Sequence, residues 1–359
     1  MTDDIRDQDG GGTATISPSS PGFLRSIAHR LAGDAPALPD EGPLPGFEGA
    51  TGWLNSEPLT PEGLRGHVVA VQFWTYTCVN WLRTLPYVRA WARKYEKHGL
   101  TVVGPHTPEF GFERNIDNIV IAARDMDVTY PIAVDSDYGV WRAFDNHYWP
   151  ALYVADAQGR IRFHHYGEGE YAMSEMVIQQ LLIEGGAEGL EPDLESPDFV
   201  GTELAADWSN VRTPEWYLGA NQTVGFASPD GAFVDARHTY SSPDRLSLNT
   251  WAPTGTWTLA RHASVLNEPN GRIAIRFHAR DVNLVMGPAT PGTAIPFRVF
   301  RNGQAPGKEH GTDVDEQGRG TLDQQRLYQL VRQTGRIDDA LFEIEFLDAG
   351  AEAYCFTFG

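Results

Sequence analysis

The chain has 359 residues, with 28 lysines and arginines against 48 aspartates and glutamates and a formal net charge of −20. Nucleic acids and anionic lipid surfaces are held by basic patches, so a charge of this sign excludes nucleic acid and membrane as expected partners. Hydrophobic residues make up 41% of the chain, ample for two cores, and single cores seldom grow past roughly 250–300 residues, so two domains are expected. Met1 to Gly12 is acidic and Gly-rich, without the basic start and apolar stretch of a signal peptide. No apolar run approaches the roughly 18 residues that span a bilayer. Two cysteines make no disulfide framework and fit a reducing compartment. A soluble cytoplasmic protein is the expectation.

Residues 1–40 are rich in Gly, Ser, Pro and Asp and are expected to be disordered or loosely attached, with a short amphipathic stretch from Phe23 to Leu31. Residues 41–185 alternate strand and helix signals. Trp53-Leu54-Asn55 and Glu57-Pro58-Leu59 predict a small hairpin, and Val68 to Trp74 a buried strand. A helix from Val79 to about Lys97 follows, then a strand Thr101–Gly104 and a loop from Pro105 to Phe110. Ile116, Ile119, Val120 and Ala123 give helical spacing between Arg114 and Asp127. A short strand at Ile132–Val134, a helix around Asp137–Phe144, strands at Ala151–Ala155 and Arg160–His165, and a helix from Glu170 to about Glu184 complete the segment. In that last helix Met173, Met176, Val177 and Leu181 mark one apolar face. The pattern is that of an α/β domain around one central sheet flanked by helices.

Residues 186–213 are acidic and carry Pro192 and Pro197, which reads as a linker. From 214 to 359 short β runs alternate with turn residues, including the hairpin signals Asn270-Gly271 and Asn302-Gly303. Eight or more strands without helical periodicity predict an all-β sandwich of jelly-roll type.

The chemistry concentrates at Cys78. A buried strand ends in Phe73-Trp74, a short turn Thr75-Tyr76-Thr77 follows, and the cysteine opens a helix. A thiol at a helix N-terminus feels the positive end of the dipole, so its pKa is expected to fall below the free value. The redox dithiol at such a position is C-x-x-C, but here Cys78-Val79-Asn80 is followed by Trp81. A single thiol attacks a disulfide but has no neighbour to release the adduct. Three outcomes stay open: monothiol exchange resolved by a small cellular thiol, peroxide reduction through a sulfenic acid, or a packed relic.

These residues carry a family resemblance. Trp74-Thr75-Tyr76-Thr77-Cys78-Val79-Asn80, His106-Thr107-Pro108-Glu109, Tyr148-Trp149-Pro150 and Gly167-Glu168-Gly169-Glu170-Tyr171 resemble the redoxin or TlpA-like branch of the thioredoxin superfamily. They are most similar to the C-terminal region of DipZ-type proteins, where a carbohydrate-binding-module-like β-sandwich follows. The resemblance implies a kinking proline at Pro86, a helical insertion between Thr107 and Asp127, and a cis-proline loop at Trp149-Pro150 facing the cysteine. It also implies a redox-active Cys78 whose partner is a low-molecular-weight thiol or a protein thiol or disulfide. Two departures stand out. The second cysteine is Trp81, and the membrane-spanning electron-transfer portion of DipZ is missing.

Other candidates carry two readings each. Thr75 matches the hydroxyl position of one-cysteine peroxidases, although Val71 stands where their motif has proline. Arg83 either stabilises a thiolate or, one turn into the helix, reaches solvent. Trp81 either shields Cys78 or packs the rim. His106 and Glu109 either tune the proton of Cys78 or serve the loop they belong to. His164 and His165 alternate across a strand, and no cysteine–histidine spacing suits zinc, so neither metal nor cofactor is expected. Cys355 is expected to be a buried inert thiol, and Glu168 and Glu170 helix caps. Trp216, Tyr217, Trp251 and Trp257 are either core or a platform for a sugar; a protein ligand on the sandwich is the other option. The reading is a thiol oxidoreductase or one-cysteine peroxidase; the alternative is a non-catalytic binding or scaffold protein on a thioredoxin fold.

Overall fold

A computed structural model describes residues 37–359; the Phe23–Leu31 stretch lies outside them. Of the segment expected to be loose, residues 38–40 are tied down. Asp40 pairs with Arg160, and Arg162 donates to the carbonyls of Leu38 and Pro39.

Seven strands form the first sheet: β1 (Gly42–Pro43), β2 (Gly52–Leu54), β3 (Val68–Phe73), β4 (Leu100–His106), β5 (Ile132–Val134), β6 (Ala151–Ala155) and β7 (Arg160–Tyr166). Their order is β1-β7-β6-β3-β4-β5-β2. β3 is central, parallel to β4 and antiparallel to β6, and every one of its residues is buried. Val68 and Ala70 face one core, while Val69, Val71 and Phe73 face another with Leu44, Phe47, Val140 and Phe144. That two-sided burial is why the strand reads as an unbroken apolar run. The helices are α1 (Val79–Tyr95), α2 (Ile116–Asp125), α3 (Gly139–Ala143) and α4 (Tyr171–Glu184).

Three local expectations are corrected. Residues 53–59 form no hairpin: β2 pairs instead with β5, and Asn55 donates its side-chain amide to the carbonyls of Val128 and Tyr130. α2 begins at Ile116 because Asn115 caps it, accepting from the Asp117 N–H at 3.0 Å. Its buried residues are Ile119, Ala122 and Ala123, leaving Ile116 and Val120 exposed. α4 is buried nearly all round rather than on one face. The 186–213 segment covers its far side, with the Glu195 N–H donating to Glu175 and Gln179 donating to the carbonyl of Pro192. That segment is a strap, fastened further on by the Arg89–Glu203 ion pair.

The second unit is an antiparallel sandwich of β8 (Trp216–Tyr217), β9 (Arg237–Tyr240), β10 (Thr250–Leu259), β11 (Ser264–Leu266), β12 (Gly271–Phe277), β13 (Asp281–Pro288), β14 (Ile295–Arg301), β15 (Arg319–Leu322), β16 (Arg326–Arg332), β17 (Ala340–Phe346) and β18 (Ala351–Phe358). β10 serves both layers. Thr250 to Thr254 pair with β12, and from Gly255 the strand pairs with β9 and then β11. Gly255 makes the switch at φ +99°, a conformation open to glycine, with the Gly271 backbone close by. Trp251, Trp257, Phe277, Phe297, Phe342 and Phe346 fill the space between the layers. Trp251 and Trp257 are therefore core, and Trp216 is buried with them, so these rings offer no exposed stacking platform.

Candidate active site

Cys78 is the N-cap of α1, in extended geometry, its N–H bonded to the Thr75 carbonyl at 3.2 Å. β3 delivers the chain to this point, and Trp74 continues the sheet by bridging to His106. Trp81, one turn into α1, is fully buried and stacks on Trp74 with centroids 4.4 Å apart. It neither shields the thiol at the surface nor packs a rim; it is core. Across the loop, the carbonyl of Trp149 lies 3.8 Å from the Cys78 sulfur, and the Trp149–Pro150 bond is cis. The Trp149 indole donates to the Thr107 carbonyl at 3.1 Å and its ring lies 4.2 Å from that of Trp141.

A residue the sequence reading missed holds this loop. Glu113 is fully buried and accepts from both the N–H and the hydroxyl of Thr77, at 3.3 and 2.7 Å. Its other oxygen accepts from the N–H groups of Glu109 and Phe110, at 2.7 and 2.8 Å. One carboxylate thus ties the cysteine turn to the loop after β4. Burial raises its pKa, and those hydrogen bonds oppose the rise. Thr75 is buried beside this latch.

The electrostatics overturn the expectation of an acidic thiol. Burial and the Glu109 carboxyl push Cys78 well above its ordinary pKa, and Glu215 adds to them. The backbone N–H groups of Trp81 and Asn80 pull the other way, which is the helix-terminus effect, but they are outweighed. Glu109 acts on the thiol through its charge, and it also belongs to the loop held by Glu113. Burial, with Glu215 and Glu113 nearby, raises Glu109 to about 8. His106 takes no part: it is fully buried between Trp74 and Tyr76, burial holds its pKa down to about 3, and neither ring nitrogen has a partner.

The sandwich completes the site. Tyr217 donates its hydroxyl to Glu109, and Glu215, raised by burial to about 7, adds its charge to the push on the same thiol. Tyr354 packs on Phe110 and Phe112 with centroids 5.4 and 4.9 Å away. Ala263, Val285, Leu327, Tyr354 and Cys355 belong to the same apolar cluster as Trp81 and Leu82 of α1. Cys78, Glu109 and Tyr217 keep part of their surface accessible, and Glu215 more, although protein surrounds them on most sides. They lie along the seam where the two units pack together.

Arg83 is placed differently from both of its expected roles. It is 3% exposed, pairs with Glu168 at 3.2 Å and donates to the Phe358 carbonyl at 3.3 Å, so it ties the units together and touches neither solvent nor the thiol. Glu168 is accordingly the partner of Arg83 rather than a cap. Glu170 occupies the N-cap position of α4 in left-handed geometry without a side-chain cap bond. His164 pairs with Glu41 on the outside of β7. Among the described residues no cluster of histidine, cysteine and carboxylate side chains is arranged to hold a metal ion, and no helix is long and apolar enough to cross a membrane.

Comparison with known proteins places this geometry. Residues 213–359 match the family model described as a thioredoxin like C-terminal domain. Protein DipZ of Mycobacterium bovis is 36% identical over 269 residues, covering 73% of this chain and 37% of DipZ. The thiol-disulfide oxidoreductase YkuV of Bacillus subtilis is 34% identical over 143 residues, 40% of this chain and 95% of YkuV. The chain belongs to the redoxin-type thioredoxin-fold family, close to DipZ. It spans only about a third of DipZ's length, as the 37% coverage states. A solved thioredoxin-like protein in its oxidised form is 34% identical, covering 40% of this chain and 96% of its own, with a TM-score of 0.37. Within the redoxin unit, Cys78 stands at the head of the active helix and Trp81 lies inside the core.

Proposed function

We propose that this protein carries out thiol–disulfide exchange through a single active-site cysteine. The observation that carries the reading is the position of the Cys78 sulfur, at the N-terminus of α1 and 3.8 Å from the Trp149 carbonyl. The thiolate of Cys78 attacks one sulfur of a disulfide, forming a mixed disulfide and releasing the other half as a thiol. The N–H groups of Asn80 and Trp81 favour the thiolate, Thr75 and Thr77 shape the turn that presents it, and Trp149-Pro150 forms the opposite wall. Trp81 acts through packing. Substrates are protein or low-molecular-weight disulfides, and an external thiol restores the enzyme. Peroxide reduction has less support, because the one arginine near the helix start, Arg83, is committed to Glu168 and Phe358. A reducing, cytoplasmic setting fits two free cysteines.

One observation favours the non-catalytic alternative: burial and the neighbouring carboxyls push the thiol's pKa up, against the thiolate. Turnover separates the two. Reduction of a small disulfide by excess external thiol is expected to be accelerated by the wild-type protein and not by Cys78→Ser. Equal rates for the two proteins would leave a scaffold.

A further inference from the structure

The chain has two cysteines in 359 residues, and the fold brings both to one interface. Cys355 lies on β18, where the pairing with β13 slips: Val285 opposes Cys355 and Met286 opposes Ala353, leaving Tyr354 as the extra residue of a bulge. A regular strand would send Tyr354 and Cys355 to opposite faces. Here both turn toward the redoxin unit and join the cluster of Trp81, Leu82 and Phe110, while their neighbours Ala353 and Phe356 stay in the sandwich core.

The contacts between the thiols run through a few residues. Cys355 stands opposite Tyr217 in the ladder, the Tyr217 hydroxyl donates to Glu109, and the Glu109 charge acts on Cys78. Glu109 and Glu215 act electrostatically on both sulfurs. Cys355 is 1% exposed, closed to outside reagents, and belongs to the apolar cluster against which Cys78 packs. The position that resolves the adduct in a dithiol redoxin is filled by the core residue Trp81.

We propose that Cys355 is the resolving thiol of this site, contributed by the sandwich in place of a second cysteine on α1. The proposal rests on Cys78 being the nucleophile. Cys78 thiolate attacks a disulfide R–S–S–R′, forming Cys78–S–S–R and releasing R′S⁻, which takes up a proton. The Cys355 thiol then gives its proton to the ionised Glu215 carboxylate, and its sulfur attacks the Cys78 sulfur. The Cys78–Cys355 bond forms, the bond to R breaks, and RS⁻ leaves to be protonated. The substrate disulfide is reduced to two thiols while the two protein thiols are oxidised to one disulfide. An external dithiol, or two monothiols, reduces that disulfide and closes the cycle. Bridging requires the two Cα atoms within about 7 Å, and the cross-linked peptide reports whether they reach it.

The test uses the full, reduced chain and 2,2′-dithiodipyridine, an uncharged disulfide whose released thione is read by absorbance. Wild-type protein is expected to release two thiones per chain, retain no adduct, and yield a Cys78–Cys355 cross-linked peptide on non-reducing mapping. Cys355→Ser is expected to release one thione and keep the pyridyl adduct on Cys78 until an external thiol is added. Cys355→Ala serves if the serine variant fails to fold, and the wild-type peptide map stands without either. An adduct that persists on wild-type Cys78 with Cys355 free, or an adduct on each cysteine, overturns the proposal and leaves Cys78 as a nucleophile. A wild-type Cys78 that takes no adduct at all removes the underlying reading instead.

Discussion

The redoxin unit and the sandwich contribute to the surroundings of Cys78 in opposite ways. On the redoxin side, backbone does the placing: the Cys78 cap, the Trp149 carbonyl and the Thr77 turn all follow from strand–turn–helix geometry. On the sandwich side, individual side chains reach across: Tyr217 to Glu109, Tyr354 to Phe110 and Phe112, and Glu215 toward the thiol. A redoxin unit without its sandwich would keep the nucleophile in position and lose part of what sets its proton. The reactive state of Cys78 is therefore a property of both units, although the scaffold that presents it belongs to one.

The sharpest break in that comparison is Trp81→Ala, which removes a redoxin core ring from the cluster that the sandwich shares. Removing a fully buried indole stacked on Trp74 is expected to cost about 3–5 kcal/mol in denaturant unfolding. Trp81→Cys, which restores the family dithiol, carries a similar penalty, so any reductase activity it gains will come with a lower melting temperature. Next in size is Glu113→Ala, which strips partners from Thr77 and from the N–H groups of Glu109 and Phe110. A loss of about 2–4 kcal/mol is expected from unsatisfied buried donors, with slower exchange at Cys78 even in the folded fraction.

Much of the scaffold was legible because its signals are local. A β-branched run ending in two aromatics, a cysteine at a helix start and Trp-Pro before a strand all lie within short windows. Glu113 was missed because nothing in its sequence surroundings marks a carboxylate that will accept four hydrogen bonds 36 residues from the Thr77 it serves. Arg83 was sent to solvent, since its partners Glu168 and Phe358 lie 85 and 275 residues away. The 53–59 hairpin failed for the same reason: adjacent strand-like segments looked like partners, but β2 found β5. The face that Cys355 presents was not legible, because the bulge that decides it leaves no mark in residue type.

A change of pH probes the shared part. Glu109 and Glu215 are raised to about 8 and about 7 from an ordinary 4.5, so the folded protein holds protons that the unfolded chain releases. Their contribution to stability is full below the ordinary value and is lost as pH rises toward 7–8. The denaturation midpoint is expected to fall between pH 5 and pH 8, and to fall less in Glu109→Gln/Glu215→Gln. A double variant with the wild-type slope would assign the pH dependence elsewhere. The smallest effect is that of Tyr217→Phe, which removes one hydrogen bond across the interface and is expected to cost about 1 kcal/mol.

The most direct measurement is the titration of Cys78 itself, followed by alkylation rate against pH in the intact chain and in Glu215→Gln. The account predicts a wild-type thiol that ionises above the free-cysteine value of about 8.5 and moves down when the sandwich carboxyl is removed. A Cys78 that titrates at or below the free value, indifferent to Glu215, would mean that the redoxin unit alone sets its chemistry.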